Sequence, residues 1–544
     1  MMKAAELFVK CLENEGIQYI FGIPGEENLD VMDALLESPI RFVTVRHEQG
    51  AAFMADVYGR LTGKAGVCLA TLGPGATNLV TGVADANMDR APVVAIAGQA
   101  ATTRLHKESH QALDLVNLFR PISKYSIQVL DPNNVPEIVR KAFKVAQTEK
   151  PGCSFIDFPE NIAEMHTDKT PLKVQQPSQP HPPADKIRQA AQIIANARFP
   201  IVMAGNGVIR AHACEMLVAF AEKLNIPVAT TFMAKGVIPF SHDLALGAVG
   251  LQANDYVSCG FERADVIICV GFDIVEYHPH LWHPDKNRKI IHIDSSPAEV
   301  DEHYMLEVGV VGDIAQALKG IAAESRFHKG RVVHTLRETI VQELNAFAHD
   351  QEFPVKPQKI LWDLRQVLAP EDIVISDVGA HKMWIARMYK TERPNTCIIS
   401  NGFAAMGIAV PGAIAAKLVH PERTIVAVTG DAGFLMNSQE IETAMRIGTP
   451  IVILIWNDAA YGLIQWKQMK SFGRESHIQF GNPDFVQYAQ SFGAKGYRVE
   501  RTEDLVPTLK RAIADQTVVV IDCPVDYREN LKLTQKLGDL VCPI

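Results

Sequence analysis

The feature that most constrains the fold of this chain is a repeated alternation of short runs rich in valine and isoleucine with longer amphipathic stretches. Residues 67–71, 424–429 and 451–456 are each one strand long and almost continuously apolar. Strands of that kind are buried on both faces, which is typical of parallel sheets covered by helices. The pattern therefore predicts an α/β chain built from doubly wound parallel sheets.

Two proline-rich stretches divide the 544 residues into three segments of similar size. Residues 170–186 and 346–358 carry repeated prolines, which forbid helix and resist sheet. They predict domains at 1–169, 187–345 and 359–544, and three is also the number of domains that the length favours.

The first and third segments show a weak internal repeat. In each, a strand runs into a glycine-rich turn and a helix, and the next strand opens with a proline 17 residues after a glycine of that turn: Gly75 to Pro92, and Gly433 to Pro450. Two similar domains are therefore expected to flank a different one. The predicted elements are a helix at 3–15 and strands at 42–45, 67–71, 92–97, 201–204, 372–376, 424–429, 451–456 and 518–521.

Composition excludes several classes of function. The 53 Lys and Arg residues against 62 Asp and Glu give a net charge of -9, which disfavours binding to nucleic acid or to an anionic membrane. The apolar runs are far shorter than the roughly 20 residues that a membrane helix needs. The nine cysteines form no Cys-x-x-Cys pair, and the N-terminus lacks the apolar stretch of a signal peptide. We therefore expect a cytoplasmic protein with reduced cysteines.

Two acidic residues follow neighbouring predicted strands in the third segment. Residues 429–434 are Thr-Gly-Asp-Ala-Gly-Phe, and residues 456–462 are Trp-Asn-Asp-Ala-Ala-Tyr-Gly. Because doubly wound sheets bind ligands at the carboxyl ends of their strands, Asp431 and Asp458 are candidates to hold Mg²⁺ beside a phosphate bound by backbone amides. On spacing alone, helix capping explains two aspartates after strands at least as well.

The same residues resemble the signature of the thiamine-diphosphate enzymes, Gly-Asp-Gly followed one strand later by Asn-Asn. Here 24 residues separate Ala432 from Asn457. Residues 46–60, 22–25 and 71–78 resemble further motifs of this family. The whole chain is thereby identified as similar to thiamine-diphosphate-dependent 2-oxo acid enzymes. Residues 110–119, 277–282, 376–381 and 456–458 look most like the catabolic, FAD-independent acetolactate synthases.

The resemblance implies a role for individual residues. As catalytic residues it implies Glu48, which would hydrogen-bond the pyrimidine ring of the cofactor, and Gln111, which would lie beside the reacting carbonyls. Met406 would wedge beneath the cofactor. The full cofactor set is Gly25, Gly379, His381, Met406, Gly430, Ala432, Gly433 and Tyr461, and the metal set is Asp431, Asp458 and Ala460. Read without the resemblance, Glu48 is a residue of a helix N-terminus, Met406 a core filler, Gln111 a cap and His381 a polar loop residue.

The chain departs from the family signature at two positions. Asp458 replaces the second Asn, which keeps an oxygen ligand and adds a negative charge. Ala432 replaces the third Gly, and if that position needs a positive φ or a tight contact with the diphosphate, its methyl group costs about 1 kcal/mol.

The resemblance implies acetolactate synthase activity with thiamine diphosphate and Mg²⁺. Pyruvate would be decarboxylated on the cofactor and the hydroxyethyl fragment joined to a second pyruvate, giving 2-acetolactate and CO2. A decarboxylase or carboligase for another 2-oxo acid, and a non-catalytic cofactor-binding relative, remain alternatives. The resemblance also implies a homodimer or homotetramer with active sites at the subunit interface.

Two other patterns are given little weight. His278, His280 and His283 have a metal-like spacing, but prolines interrupt them and a zinc site is not favoured. Residues 205–210 form only a partial dinucleotide fingerprint, so FAD is not expected in the middle segment.

Overall fold

The computed structural model describes residues 1–175, 178–250, 256–325 and 332–531, and within them three six-stranded parallel sheets are covered by helices. Each sheet belongs to one domain, and all strand pairs within the three sheets are parallel. The predicted fold class, three doubly wound parallel-sheet domains, is thereby confirmed.

The first domain contains eight strands and seven helices. Its strands are β1 (Met2–Lys3), β2 (Tyr19–Gly22), β3 (Arg41–Thr44), β4 (Gly66–Ala70), β5 (Val93–Gln99), β6 (Tyr125–Gln128), β7 (Cys153–Pro159) and β8 (His166–Thr167). Its helices are α1 (Ala4–Asn14), α2 (Leu29–Leu35), α3 (Glu48–Thr62), α4 (Pro74–Met88), α5 (Leu115–Phe119), α6 (Val135–Gln147) and α7 (Glu160–Glu164). The main sheet has the order β3-β2-β4-β5-β7-β6, and β1 pairs separately with β8.

The described residues of the central domain form six strands and six helices. Its elements are α8 (Ala184–Ala195), β9 (Pro200–Ala204), α9 (Gly207–Arg210), α10 (Cys214–Leu224), β10 (Val228–Thr230), β11 (Ala245–Ala248), α11 (Tyr256–Arg263), β12 (Val266–Val270), β13 (Lys289–Asp294), β14 (Leu306–Val311), α12 (Ile314–Glu324) and α13 (Val332–Asn345). The sheet order β11-β10-β9-β12-β13-β14 is the Rossmann order 3-2-1-4-5-6.

Up to residue 531, where its description ends, the third domain has six strands and eight helices. Its elements are α14 (Pro357–Val367), β15 (Ile373–Ser376), α15 (Ala380–Met388), β16 (Cys397–Ile399), α16 (Ala409–Val419), β17 (Ile425–Gly430), α17 (Asp431–Asn437), α18 (Glu440–Ile447), β18 (Val452–Asn457), α19 (Gly462–Phe472), α20 (Phe485–Ser491), β19 (Lys495–Arg498), α21 (Leu505–Ala514) and β20 (Val519–Pro524). The sheet order is β16-β15-β17-β18-β20-β19.

The first and third domains have the same topology. When the strands of each six-stranded sheet are numbered in chain order, both read 2-1-3-4-6-5. Gly75 and Gly433 both lie in the first turn of the helix that follows the third strand, and Pro92 and Pro450 precede the fourth. The predicted repeat therefore corresponds to two domains with one strand order. The predicted strands and helix end within three residues of the observed ones.

Local sequence sets both ends of α3, the helix that carries Glu48. The side chain of His47 caps its N-terminus by accepting the backbone N–H of Gln49 at 3.1 Å. Gly63 ends it with a left-handed φ of 68°. Because α3 begins directly after the loop that follows β3, its first residue lies at the carboxyl edge of the first sheet.

Helices α3 and α16 pack against each other across the boundary between the first and third domains. Their small buried residues, which include Ala52, Ala55, Ala413 and Ala416, belong to one apolar core that both domains share. A Cβ atom on Gly412 would lie 2.8 Å from Cγ2 of Val57 and 3.2 Å from Cγ2 of Ile375. The close approach of the two helices therefore requires glycine at position 412.

The described part of the chain contains no helix that combines the length and the apolar character needed to cross a membrane. None of the eight cysteines in the described residues forms a disulfide, and seven of them are buried. Cys542 lies outside the described residues.

We expect Gly412→Ala to lower the free energy of unfolding by about 1–3 kcal/mol, because the added methyl overpacks against the stiff side chain of Val57. This loss outweighs the roughly 1 kcal/mol that alanine gains over glycine in a helix. Gly320→Ala in α12 is the matched control, since its nearest neighbour at 3.0 Å is the mobile end of Ile187. Denaturant unfolding of both variants checks this, and equal stability of the two would contradict it.

Candidate functional site

The residues singled out from the sequence lie in two groups at the carboxyl edges of the first and third sheets. The first group, after β2, β3 and β5, contains Gly25, Glu48 and Gln111. The second group follows β15 to β18 and contains Gly379, His381, Met406, Gly430, Asp431, Ala432, Gly433, Asp458, Ala460 and Tyr461. Of the hydrogen bonds described for the Glu48 carboxylate, none reaches the second group of the same chain.

Glu48 is buried at the N-terminus of α3. It is 8% exposed, and one oxygen of its carboxylate accepts a hydrogen bond from Nδ2 of Asn78 at 3.0 Å. Gly75, in the turn that opens α4, lies so close that a Cβ there would be 3.4 Å from the other oxygen. A buried carboxylate fixed by a single neutral donor keeps acceptor capacity for a further donor.

Gly25 and Gln111 border the same edge of the first sheet. A Cβ on Gly25 would lie 2.4 Å from Cβ of Thr71, so only glycine lets this loop close on the end of β4. Gln111 is exposed, has a φ of 57°, and its backbone lies against Gly73. Gln111 is therefore near the turn that faces Glu48, and it is exposed rather than buried.

Asp431 is the best-bonded residue of the second group. Its Oδ1 accepts the backbone N–H of Ala432 at 2.8 Å, and its Oδ2 accepts the N–H of Ala459 at 2.7 Å and Nδ2 of Asn482 at 2.8 Å. These bonds join the turn after β17 to the turn after β18. Burial raises the pKa of Asp431, and the same hydrogen bonds oppose that rise.

Asp458 lies in the next turn along the sheet. Burial, and then the neighbouring charge of Asp431, raise its pKa to about 8. The turn continues through Ala459, with a φ of 54°, to Ala460, whose carbonyl accepts the N–H of Gly462 at 3.0 Å. Tyr461 is 41% exposed and its ring contacts Phe480 at 5.1 Å. The carboxylates of Asp431 and Asp458 thus lie in neighbouring turns, and among the described side chains neither forms an ion pair with a cationic residue.

His381 lies between the two glycines of the second group. A Cβ on Gly379 would be 2.8 Å from the imidazole, and one on Gly430 would be 3.3 Å from it. The ring is fully enclosed, and burial lowers its pKa to about 3, so the neutral form is held. The interpretation of His381 as a polar loop residue is therefore wrong, since it belongs to α15 and is buried.

Met406 is half-buried, in the loop between β16 and α16. The loop turns at Gly407, with a φ of 96°, and the N–H groups of Gly407 and Ala409 donate to the buried carboxylate of Asp377 at 2.8 and 3.1 Å. Met406 therefore directly precedes a turn that the Asp377 carboxylate holds in place, and its side chain is only partly buried.

The structure separates the two small residues after Asp431. Ala432 is half-buried in the first turn of α17 and does not have a positive φ, so its methyl group causes no backbone strain. The close approach is at Gly433, where a Cβ would lie 2.9 Å from Oδ1 of Asp377. Whether the Ala432 methyl crowds a diphosphate stays a prediction.

Several buried polar atoms in the second group and next to it have no hydrogen-bond partner among the residues that the structure describes. They are Nε2 of His381, Nε1 of Trp456 and Oδ1 of Asn482. Buried polar groups are normally satisfied, so a cluster of unsatisfied ones beside two carboxylates fits a site that receives a polar ligand and a cation. The donor set of Asp431 and Asp458, all oxygen, suits Mg²⁺.

Asn78, Asp377 and Asn482 contribute to the two groups but were not predicted as functional residues. Asn78 and Asp377 stand inside stretches that resemble family motifs, which was the available signal. Asn482 stands in an ordinary turn sequence, Gly-Asn-Pro-Asp, and only its bonds to Asp431 and Asn457 reveal it.

The two disfavoured patterns also have defined positions. His283 uses both ring nitrogens, one with the carbonyl of His303 at 2.7 Å and one with the N–H of Arg288 at 3.1 Å. Within the described ranges, no group of three or more His, Cys, Asp or Glu side chains is placed to hold a metal ion. In the central domain, the backbone N–H of Asn206, in the turn after β9, donates to the Glu276 carboxylate, whose two oxygens each lie 3.1 Å from the nitrogen. This N–H group is therefore already occupied by a residue of the chain.

Comparison with known families agrees with this geometry. Residues 2–118 match the model of the thiamine pyrophosphate enzyme N-terminal TPP binding domain, residues 187–321 match that of the central domain, and residues 377–523 match that of the C-terminal TPP binding domain. Each match covers one of the three sheets in large part.

Curated relatives resemble the chain along almost its full length. An acetolactate synthase of Bacillus subtilis is 37% identical over 99% of this chain and 97% of its own length. A probable acetolactate synthase large subunit of Methanocaldococcus jannaschii is 37% identical over 100% and 96%. A catabolic acetolactate synthase of Raoultella terrigena is 37% identical over 98% and 97%.

We expect Gly433→Ala to destabilise the protein by about 1–3 kcal/mol, because Asp377 is held by three backbone N–H groups and cannot move away from the new methyl. Ala432→Gly is the matched control at the adjacent position and should cost only the roughly 1 kcal/mol of helix propensity. Thermal unfolding without added cofactor measures both. A larger loss for Ala432→Gly would overturn the assignment of the tight contact to Gly433.

Proposed function

The chain belongs to the thiamine pyrophosphate enzyme family, and from this membership we propose that it acts as an acetolactate synthase on pyruvate. Two molecules of pyruvate would give 2-acetolactate and CO2. The observation that carries the proposal is the pair of acidic turns, Asp431 after β17 and Asp458 after β18, in a chain that aligns with acetolactate synthases from end to end.

The second group would hold thiamine diphosphate through a Mg²⁺ ion. Asp431 and Asp458, with the carbonyl of Ala460, would bind the metal. Met406 would support the cofactor from below. The remaining proposed cofactor contacts in this group are Gly379, His381, Gly430, Ala432, Gly433 and Tyr461. Gly25, which belongs to the first group, is proposed to contact the cofactor from the edge of the first sheet. When bound, the cofactor supplies the electron sink that decarboxylation of a 2-oxo acid needs and that no side chain can provide.

Glu48 is proposed as the residue that activates the cofactor. Its carboxylate is buried and oriented by Asn78, so it would bond a ring nitrogen in a medium where hydrogen bonds are strong. Because proton transfer depends first on geometry, the fixed N-terminus of α3 is what suits Glu48 to this role. Gln111 is proposed to lie beside the reacting carbonyls.

A second copy of the chain is proposed to complete each site, in a homodimer or a homotetramer. Phe403, in the loop that carries Met406, and Leu435 and Met436, in α17, expose 37–45% of their surface, and Met436 packs beside Gly407. Leu113 and Leu118 of the first domain are also exposed. Apolar patches of this kind are typical of protein interfaces, and covering them would bring Glu48 of one subunit to the metal site of the other.

We also propose the limits of the three domains and the cellular location of the protein. The domain limits are 1–169, 187–345 and 359–544, which the proline-rich connections support. A cytoplasmic location is supported by the eight cysteines of the described residues, none of which forms a disulfide.

The pyruvate reaction tests the proposed function. Purified protein incubated with pyruvate, thiamine diphosphate and Mg²⁺ should release CO2 and form acetolactate, and chelating the metal should stop both. Formation of acetaldehyde instead would show a simple decarboxylase, and activity only with longer 2-oxo acids would show another carboligase. Either result would overturn the assignment.

A mixing experiment tests whether the active site is shared between subunits. Glu48→Gln and Asp431→Asn should each be inactive, the first with cofactor affinity nearly unchanged and the second with cofactor affinity lost. When the two variants are co-expressed, half the dimers are mixed, and each mixed dimer contains one intact site of two. We therefore expect about a quarter of the wild-type activity.

The control is co-expression of two differently tagged copies of Glu48→Gln, which should stay inactive. If the mixed pair is also inactive although mixed dimers are isolated through their tags, each site lies within a single subunit.

A further inference from the structure

A buried carboxylate of the third domain holds the loop that carries Glu48. Glu440, the first residue of α18, is 0% exposed, and its Oε1 accepts the backbone N–H groups of Arg46 at 3.0 Å and His47 at 3.1 Å. Its other oxygen accepts the hydroxyl of Thr443 at 2.6 Å. These contacts join positions almost 400 residues apart in the chain.

The contact requires space that only glycine leaves. A Cβ on Gly50, in the first turn of α3, would lie 2.9 Å from Oε1 of Glu440. A second bond runs beside it, from Nδ2 of Asn437 to Oε1 of Gln49 at 3.2 Å. The chain is therefore attached to the third domain on both sides of Glu48, through the backbone of Arg46 and His47 before it and through the side chain of Gln49 after it.

The reverse contact exists as well and follows the repeat of the two domains. Asp85, on α4 of the first domain, accepts the N–H of Ala405 at 3.0 Å and the hydroxyl of Ser400 at 2.7 Å. Asp89, directly after α4, accepts the N–H groups of Asn401 and Gly402. The two directions are equivalent. In each, acidic residues that follow the third strand of one domain hold a loop of the other domain, and that loop precedes the helix between the second and third strands, α3 or α16.

Burying a carboxylate costs several kcal/mol unless hydrogen bonds replace its water. Burial raises the pKa of Glu440 to about 7, and the bonds from Thr443, Arg46 and His47 act against that rise. A group so expensive to bury is poorly explained by stability alone, since an apolar residue of similar volume would pack at lower cost. Its bonds instead define where the chain leading into Glu48 must lie.

We propose that Glu440 is a positioning residue for Glu48: by accepting the N–H groups of Arg46 and His47 it fixes the N-terminus of α3 and so aims the Glu48 carboxylate at the cofactor. This inference rests on the proposed function. Glu440 does not touch the cofactor in this role. A displacement of about 1 Å at a catalytic group slows a reaction by roughly 10²-fold, so loss of this anchor should affect the activation step strongly.

Three substitutions separate positioning from charge. Glu440→Gln keeps an oxygen at the position that accepts both N–H groups and removes the charge. Glu440→Asp keeps the charge but withdraws the carboxylate by one methylene, and Glu440→Leu removes the acceptor. Asp363→Leu is the matched control, because Asp363 is a buried carboxylate of the same domain whose described bond is to Lys359, away from both groups.

The first measurement needs no cofactor. Amide hydrogen exchange of peptides covering residues 44–52 should be faster in Glu440→Leu and Glu440→Asp than in wild type, and unchanged in Glu440→Gln and Asp363→Leu. Equal protection in all variants would show that Glu440 does not hold this loop, and would overturn the proposal.

The second measurement follows deuterium exchange of the reactive thiazolium proton of bound thiamine diphosphate, without substrate. Glu440→Asp and Glu440→Leu should slow this exchange about 10²-fold, with cofactor affinity within about threefold of wild type, and Glu440→Gln should stay near wild type. Slow exchange in Glu440→Gln with normal exchange in Glu440→Asp would show a role of the charge instead and refute positioning.

Glu48→Gln distinguishes failure of this inference from failure of the proposed function. If Glu48→Gln leaves the thiazolium exchange unchanged, the proposed role of Glu48 is wrong, whatever Glu440 does. If Glu48→Gln slows the exchange but Glu440→Asp and Glu440→Leu do not, only the positioning role is wrong. Should Glu440→Leu fail to fold, Glu440→Asp and Glu440→Gln alone still decide between these outcomes.

Discussion

The structure depends on buried carboxylates that accept backbone N–H groups from another part of the chain. Glu440 holds the loop before α3, Asp85 and Asp89 hold the loop before α16, and Asp377 holds the turn after Met406. Each carboxylate is costly to bury, and the cost is offset only when the loop it holds is in its native conformation. The loops at the sheet edges are therefore as well defined as the sheets, although they contain little regular structure.

The repeat of topology explains why the candidate residues fall into two groups. Two sheets of the same strand order each present loops at their carboxyl edges, which is where doubly wound sheets bind ligands. One edge carries a buried glutamate and the other a pair of aspartates with unsatisfied polar neighbours. A shared apolar core across α3 and α16 keeps the two sheets in a fixed relation. The central domain has a different strand order and contributes none of the proposed catalytic residues.

Much of the fold and part of the site could be predicted from the sequence, for physical reasons that particular residues show. Strands such as β18 are continuous apolar runs, and Asp431 and Asp458 follow directly after such runs, so local sequence is sufficient to find them. Glu440 and Asn482 could not be found in this way, because their function comes from contacts with residues far away in sequence. The family signature indicated that glycine is needed near positions 432 and 433, but the sequence did not show at which of the two positions a side chain would be too close to its neighbours. The close approach of Asp377 to Gly433 depends on tertiary packing alone.

The reciprocal bonds across the domain boundary bear on whether either outer domain is autonomous. A first domain produced without the third would lose the acceptor for Arg46 and His47, and a third domain produced alone would lose the acceptors for Asn401, Gly402 and Ala405. Each fragment would also expose its half of the α3 and α16 contact to water. The two halves of this duplication are thus mutually dependent, and neither is a module that could be transplanted with its catalytic loop intact.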